Sequence, residues 1–474
     1  MATDRKTPNL DTVTTINDDG SKYNIQPADV KGSFTTRRRL TAWTLILIYI
    51  ALPWIQINGY PAVFIDLNEL RFHFFGFTLL TQDFWVFFFL VSGLAFSLFV
   101  LAALVGRVWC GWFCPSTVFL EHLYRRIERL VDGDATKRKK LEAAAMSSTK
   151  AIKRTIKWGL YILASFTLAH VFLSYFISIP EVWKNVTQSP TEHFSQFLFI
   201  LAFTGIFTFC FGWFREQFCI IMCPYGRFQS ALTDDETITV NYDYNRGEPR
   251  GKKRKFSVEE TGDCIDCRRC VSVCPTGIDI RNGIQLECVA CSACVDACND
   301  IMKKIDRPTG LIRYDSAAGI ATGKRKILRP RILLYLLLSL FGLTALSVTF
   351  MDKAKPFYAG VTRMRGTTFV ASAEGVRNTF VLRLSNKRNR SADFTIILDD
   401  KESLGLQADD RQHTVSALGE ESLTISVLSP INDYTGAKDI HFIITADDET
   451  SQSVPARFMG PSARLYKESQ QENK

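Results

Sequence analysis

The 474-residue chain has no cysteine after Cys298, only six histidines, no glycine-rich nucleotide fingerprint and no Ser–His–Asp grouping. The last two absences leave a dinucleotide-binding domain and a serine hydrolase without support. No cleavable signal peptide is read at the start, because residues 1–36 are polar. The first apolar run follows Arg37-Arg38-Arg39 and is expected to stay as an anchor. The net charge of +9 collects in stretches flanking apolar segments, which argues against nucleic acid as a partner.

What is present is hydrophobic length. Crossing a bilayer takes about 20 apolar residues. Five segments qualify, 40–57, 84–105, 158–179, 194–213 and 331–350, each without Asp, Glu, Lys or Arg at its middle. A soluble protein with buried helices would not need five such runs. The stretch Phe72–Leu80 is apolar but too short to span, and is expected to lie at the interface or re-enter. Lys and Arg number seven in 1–39, twelve in 106–157 and nineteen in 214–329, against Arg71 alone in 58–83 and Lys184 alone in 180–193. The positive-inside rule then makes the chain's start and the 214–329 segment cytoplasmic, and an odd number of crossings puts the C-terminal part outside. Cysteine use agrees, since all 13 lie before residue 299, on the side where a reducing compartment protects thiolates.

The expected order is a multi-domain protein: a flexible cytoplasmic tail (1–36), a four-helix membrane domain (37–230), a cytoplasmic ferredoxin-like insert (231–326), a fifth membrane helix (327–352) and an outer-side domain (356–474). Residues 121–157, with Lys137-Arg138-Lys139-Lys140, suit helices along an anionic inner leaflet, and Arg250–Lys255 reads as a solvated linker. From about residue 356 short alternating strands follow: Thr367–Ala373, Thr379–Ser385, Phe394–Leu398, Thr414–Ala417, Ser422–Leu428, His441–Thr445 and Val454–Phe458. This pattern fits an all-β immunoglobulin-like sandwich, held without a disulfide by Val, Ile, Leu and Phe.

The chemistry is carried by eight cysteines. Cys264, Cys267, Cys270 and Cys274, then Cys288, Cys291, Cys294 and Cys298, write C-x2-C-x2-C-x3-C twice. That is the ligand run of a ferredoxin with two [4Fe–4S] clusters, in which the fourth cysteine of each run reaches the other cube. On that rule Cys264, Cys267, Cys270 and Cys298 hold one cluster, and Cys288, Cys291, Cys294 and Cys274 the other. A pair of structural zinc sites is the plainer alternative, but zinc needs only two pairs of ligands and gives no reason for tight triplets.

Two further pairs share the pattern C-x3-C-P at the inner ends of membrane helices: Cys110 and Cys114 before Pro115, and Cys219 and Cys223 before Pro224. On a helix, positions four apart share a face, so each pair could grip one ion, and the proline ends the helix there. Soft thiolates suit Cu(I), zinc or an iron–sulfur centre, with Met222 as an added thioether; a redox dithiol and plain buried cysteines are the alternatives. Cys210 has no matching partner in the pattern. His170, within the third apolar run, reads as a structural or quinone-facing residue, and His122 as a surface-helix histidine near the first pair.

Taken together, these motifs resemble the FixG/CcoG-type cytochrome oxidase accessory proteins. The likeness runs from the basic entry to the first helix through both C-x3-C-P pairs, the ferredoxin runs and the terminal sandwich, where Val361–Gly366 and Leu384–Lys387 look like opening strands. It departs at Asn299, which follows Cys298 in place of proline, and in the short Cys274-to-Cys288 spacing. The resemblance implies a polyferredoxin of the bacterial inner membrane, with a periplasmic sandwich, that reduces Cu(II) to Cu(I) for assembly of a cbb-type oxidase. It makes Cys110, Cys114, Cys219 and Cys223 the copper-reactive thiols. Its implied partners are membrane lipid, a cytoplasmic electron donor, copper ion and oxidase subunits or assembly factors, with homo-oligomerisation as a further candidate. A quinol-oxidising NapH-like subunit and a non-catalytic assembly scaffold are the competing readings.

Overall fold

A computed structural model of the chain describes residues 24–67, 69–80, 83–251, 262–285, 287–353, 355–366, 368–372, 374–399, 405–407 and 412–464. It divides into two compact units, Met1–Ile55 with Pro61–Leu67 and Phe84–Ser347, and Gln56–Tyr60 with Asn68–Asp83 and Val348–Lys474. Most of the basic linker 250–255, and the ends of the expected strand Thr367–Ala373, lie outside the described residues.

The first unit is built on helices α1 (Ser33–Ala51), α2 (Phe84–Val105), α3 (Ser148–Leu173), α4 (Phe194–Phe207), α5 (Ala293–Lys304) and α6 (Pro330–Lys353). Among the described residues, four stretches are long and apolar enough to cross a membrane: α2, α3, α4 with its continuation to Phe214, and Pro330–Met351 of α6. The first expected span differs. Helix α1 starts earlier than the apolar run and includes Arg37, Arg38 and Arg39, so only Leu40–Ala51 of it is apolar. A fifth crossing rests on that shorter stretch. The expected run 158–179 is likewise shifted, because the basic segment from Ser148 is already helical. Helices α2 and α6 meet where neither has a side chain: a methyl on Gly342 would stand 2.9 Å from the Cα of Gly93. One turn away, the hydroxyls of Ser97 and Ser339 are 2.8 Å apart. Small residues let membrane helices approach closely, and hydroxyls bond across the seam. Helices α3 and α4 pair through aromatic rings, among them Phe172 with Phe203 at 4.9 Å between centroids.

Within this unit the insert forms around an antiparallel pair, Thr239–Tyr242 with Ile312–Asp315. Val240, Tyr242, Ile280, Val295, Met302, Leu311 and Ile312 pack with Cys264 and Cys270 in one core. The expected flexible tail is corrected from residue 24 onward. Ala28 donates its N–H to the Ser272 carbonyl at 2.8 Å, and Arg269 holds the Asp29 carbonyl at 2.7 Å. Helix α1 has no cap of its own, since its N-cap residue is Gly32. Asp296 of α5 supplies the cap instead, accepting from the N–H groups of Phe34 and Thr35 at 3.3 and 2.7 Å. A side chain at position 32 would collide with that carboxylate.

In the second unit, the apolar stretch Phe72–Leu80 is β-structure: Arg71–Phe74 and Phe77–Leu80 form a hairpin. Positive φ at Phe75 and Gly76 makes its turn. The terminal domain has two antiparallel sheets. One orders strands Gly405–Gln407, Glu420–Pro430, Gly375–Asn386 and Phe357–Arg363; the other orders Gln412–Val415, Ala392–Leu398, Lys438–Ala446 and Ser451–Phe458. Alternation is clean along Ala392–Leu398, and Phe380, Phe394, Phe442 and Phe458 fill the core between the sheets. Five of the expected strands lie inside longer ones; Thr414–Ala417 only overlaps Gln412–Val415, and within Thr367–Ala373 the strand is Val370–Ser372, paired with Gly375–Arg377. Phe357–Arg363 overlaps the opening strand Val361–Gly366 that the resemblance implies but starts four residues earlier, and Gly405–Gln407 is not among the expected strands, because three residues give little period-two signal. Asp83 and Lys387 form a nearly fully buried ion pair at 2.7 Å in this unit.

Candidate metal centres

Each ferredoxin run folds the same way. In the first, Asp266 and Arg268 flank Cys267 with φ of 51° and 54°; in the second, Ala290 and Ser292 flank Cys291 with φ of 50° and 61°. Non-glycine residues rarely adopt this left-handed region, and two in each loop mark a backbone held for a purpose. Alternating hands turn successive N–H groups to one side, the arrangement that surrounds anionic centres. After each loop a helix begins, at Arg269 and at Ala293, placing Cys270 and Cys294 in the first turn.

The cluster cysteines lie close enough to act on one another. Burial, then the charges of Cys270, Cys264 and Cys267, push the Cys298 thiol up to about 12. For Cys288, burial and then Cys274 and Cys291 do the same, again to about 12. Cys294 is raised by burial and by Cys291, Cys288, Cys274 and Cys270. One cavity is lined by Cys270, Cys274, Cys288, Cys291 and Cys294 together. Thiols this hard to ionise need a cationic centre as counter-charge. Among the described residues, no three His, Cys, Asp or Glu side chains converge on one ion. A zinc ion would draw four sulfurs to about 2.3 Å from a single point. Spaced sulfurs around a cavity fit a cube instead, where each iron takes one thiolate.

The C-x3-C-P pairs are not i,i+4 neighbours on one α-helix, and the prolines do not simply end a helix. Val108–Trp112 stops, Cys114 is extended, and Pro115 opens the next helix; Phe218–Met222 is π-helical, Cys223 is extended, and Pro224 opens another. Proline suits the first helical position because its missing N–H has no partner there. Cys114 N–H bonds the Trp109 carbonyl and Cys223 N–H the Phe218 carbonyl, both at 2.9 Å and both five residues back. Each second cysteine therefore sits at a helix N-terminus. The structure brings Cys110, Cys114, Cys219 and Cys223 together. Burial pushes the Cys110 thiol up to about 12; Arg107 lowers it, and charges on the other three raise it. The Cys110 Sγ donates to Gln229 Oε1 at 3.6 Å, and the Cys219 Sγ lies 3.9 Å from the Ser116 hydroxyl. Cys210 stands apart from this group.

The rim pairs and the second cluster loop are in direct contact. A methyl on Gly111 would lie 2.3 Å from the Val289 carbonyl oxygen and 3.1 Å from the Cys291 nitrogen. Trp112 Nε1 donates to the Tyr314 hydroxyl at 3.2 Å. That hydroxyl donates to the Ala290 carbonyl at 2.7 Å and accepts from Ser292 Oγ at 2.6 Å, so it grips both left-handed residues beside Cys291. Cys110, Val289, Cys291 and Ala293 share one hydrophobic cluster, with Tyr225 against it. Cys110, Gly111, Trp112 and Cys291 belong to the sequence motifs, whereas Val289, Ala290, Ala293 and Tyr314 carried no signal of their role.

Of the two histidines singled out, His122 falls differently from expectation. His170 Nδ1 lies 2.8 Å from the Phe166 carbonyl one turn back, the structural alternative. His122 is not on the surface; it is buried in a π-helical turn, Leu120–Tyr124.

Comparison with known proteins follows this layout. A 4Fe–4S dicluster domain matches residues 214–317, and a 4Fe–4S binding domain matches 84–132, which includes Cys110 and Cys114. The IG-like fold at the C-terminal of FixG matches 347–461. Protein RdxA of Cereibacter sphaeroides is 35% identical over 397 residues, covering 80% of this chain and 83% of its own. Nitrogen fixation protein FixG of Rhizobium meliloti is 33% identical over 416 residues, 76% of each chain. Ferredoxin-type protein NapH of Haemophilus influenzae is 23% identical over 223 residues, only 44% of this chain and 64% of its own. With likeness to RdxA and FixG over 76–80% of the chain and both kinds of domain in place, the chain belongs to the FixG family of iron–sulfur polyferredoxins.

Proposed function

We propose that this protein carries single electrons from a cytoplasmic donor to the C-x3-C-P thiols and there reduces Cu(II) to Cu(I) for assembly of a cbb-type oxidase. Cys264, Cys267, Cys270 and Cys298 are assigned to one [4Fe–4S] cluster, and Cys274, Cys288, Cys291 and Cys294 to the second. Such clusters supply one-electron redox chemistry at potentials set by charge, hydrogen bonds and burial. The observation that carries the reading is the packing of Cys110 against the Cys291 loop through Gly111, Trp112 and Tyr314. It leaves the rim thiols beside the loop assigned to the second cluster.

Copper is the substrate in this scheme. A cupric ion displaces thiol protons from Cys110 and its neighbours, accepts one electron and becomes cuprous; the sulfurs are not consumed. Thiolates favour the soft product. In the proposed orientation the cluster domain is cytoplasmic, in the bacterial inner membrane, and residues 356–474 are periplasmic.

The test uses the full chain, anaerobically purified and reduced with dithionite. Adding Cu(II) is expected to restore the oxidised cluster absorbance within seconds. The Cys110→Ser/Cys219→Ser double variant, with its iron content verified, is expected to lose that response. An unchanged rate in the double variant rejects the rim as the copper site. The partial likeness to NapH favours a second reading, electron entry from a quinol; reduction of the clusters by a quinol would support it.

A further inference from the structure

A second polar cavity, of about 120 Å³, lies between the 24–36 segment, the start of α1 and the helix that follows Pro115. Its walls carry Arg38, Arg39, His122, Arg125, Arg126 and Arg129, against the carboxylates of Asp29 and Glu121. Both carboxylates are engaged: Glu121 pairs with Arg125, and Asp29 with Arg129 at 2.9 Å. Among the described residues, Arg39 and Arg126 have no carboxylate partner within ion-pair distance. Arg38 gives its Nε to the Gly111 carbonyl at 2.8 Å, while its Nη2 is buried without an acceptor.

His122 adds an independent sign. It is 7% exposed, and neither ring nitrogen has a hydrogen-bond partner. Burial, then Arg38, hold its pKa down to about 4, so the neutral ring has one N–H to give. Arg126 is likewise made less basic by burial and by Arg39 and Arg129. Buried donors without acceptors, in a field of like charge, raise the free energy of this region; an oxyanion would lower it.

We propose that this cavity binds a phosphate group, donated to by His122, Arg38, Arg39 and Arg126, and that an anionic phospholipid brings it. Arg39 leads directly into Leu40 (71% exposed), Trp43 and Leu47 on α1. A headgroup in the cavity therefore leaves its acyl chains along an apolar helix face. Basic pockets at the inner ends of membrane helices seat lipid headgroups in this way. A soluble phosphate ester would use the same donors without that face.

Native mass spectrometry of the full chain, presented with pure phosphatidylglycerol or pure phosphatidylcholine and with or without inorganic phosphate, tests the proposal. The expected result is retention of phosphatidylglycerol alone, reduced about fivefold per arginine in Arg39→Gln and Arg126→Gln. Neither arginine holds an ion pair, so cluster absorbance should stay intact in both. If inorganic phosphate binds and is lost in the same variants while the lipid is not retained, the phosphate site stands and its source is soluble. Equal retention in wild type and variants overturns the proposal. So does an equal loss in Lys139→Gln/Lys140→Gln, whose charges lie outside the cavity.

Discussion

The indole nitrogen of Trp112 and the hydroxyl of Tyr314 are joined by a hydrogen bond of 3.2 Å. One residue lies between the two cysteines of a membrane-rim motif; the other closes the insert's small sheet and holds Ala290 and Ser292. Tyr314→Phe removes one oxygen and strands three partners. We expect it to lower stability by about 1–3 kcal/mol. We also expect it to move the midpoint potential of the cluster assigned to Cys291 while leaving the other unmoved. Paramagnetic resonance during a redox titration reads both; two unmoved signals would refute the link.

Crossed ligation makes a specific demand. Cys298→Ser should damage the cluster assigned to Cys264, Cys267 and Cys270, and Cys274→Ser the one assigned to Cys288, Cys291 and Cys294. Iron analysis should fall from about eight toward about four atoms per chain in each variant. The surviving spectrum should differ between the two; identical survivors would mean that each run serves its own cube.

Glu128 is buried between Arg215, at 3.0 Å, and Arg138, at 3.4 Å. Glu128→Gln leaves the buried Arg138 guanidinium without an ion-pair partner among the described residues and Arg215 with Glu216 alone, 3.7 Å from its Nε, a change worth about 3–5 kcal/mol. Thermal unfolding in detergent should show a clear drop in Tm, and a drop within error would show that water reaches the site.

In the β-rich unit, Lys387→Met isolates the buried Asp83 carboxylate and should destabilise that unit by about 3–5 kcal/mol. Replacing both partners by leucine should recover most of the loss. If the double variant is no better than the single one, the pair contributes through its hydrogen bonds, not through charge balance.

Acid should weaken the first unit through His122. Its folded pKa of about 4 lies below the ordinary 6.5. Between those values the unfolded chain binds more protons, so stability is lost as pH falls through that window. Glu121 and Glu128 are held below their ordinary 4.5 by neighbouring arginines, despite burial that opposes the shift, and act only at lower pH. His122→Gln should therefore flatten the Tm profile between about pH 6.5 and 4.5. A profile of unchanged slope assigns the loss elsewhere.

Spacing made the cluster cysteines legible, because a cube constrains consecutive ligands within a few residues. Hydropathy made α2 and α6 legible almost to the residue. Local pattern failed where the partner was distant. Residues 24–36 are polar and read as a tail, yet Ser272 and Asp296 fix them. His122 sits among charged residues and reads as exposed, yet the 24–36 segment and α1 cover it. The C-x3-C-P pairs suggested one continuous helix each, and proline redirected both backbones instead. Nothing local marks Tyr314, whose role depends on a contact 202 positions away.

Docking of residues 24–36 has a consequence for synthesis. Ala28 leaves the ribosome long before Ser272, its hydrogen-bond acceptor, exists. Asp296, which caps the start of α1, arrives later still. The opening segment must wait undocked while α2, α3 and α4 are inserted, and its closure is among the last events of assembly. A nascent chain halted before Asp296 would expose Phe34 and Arg38 to proteases that spare the finished protein.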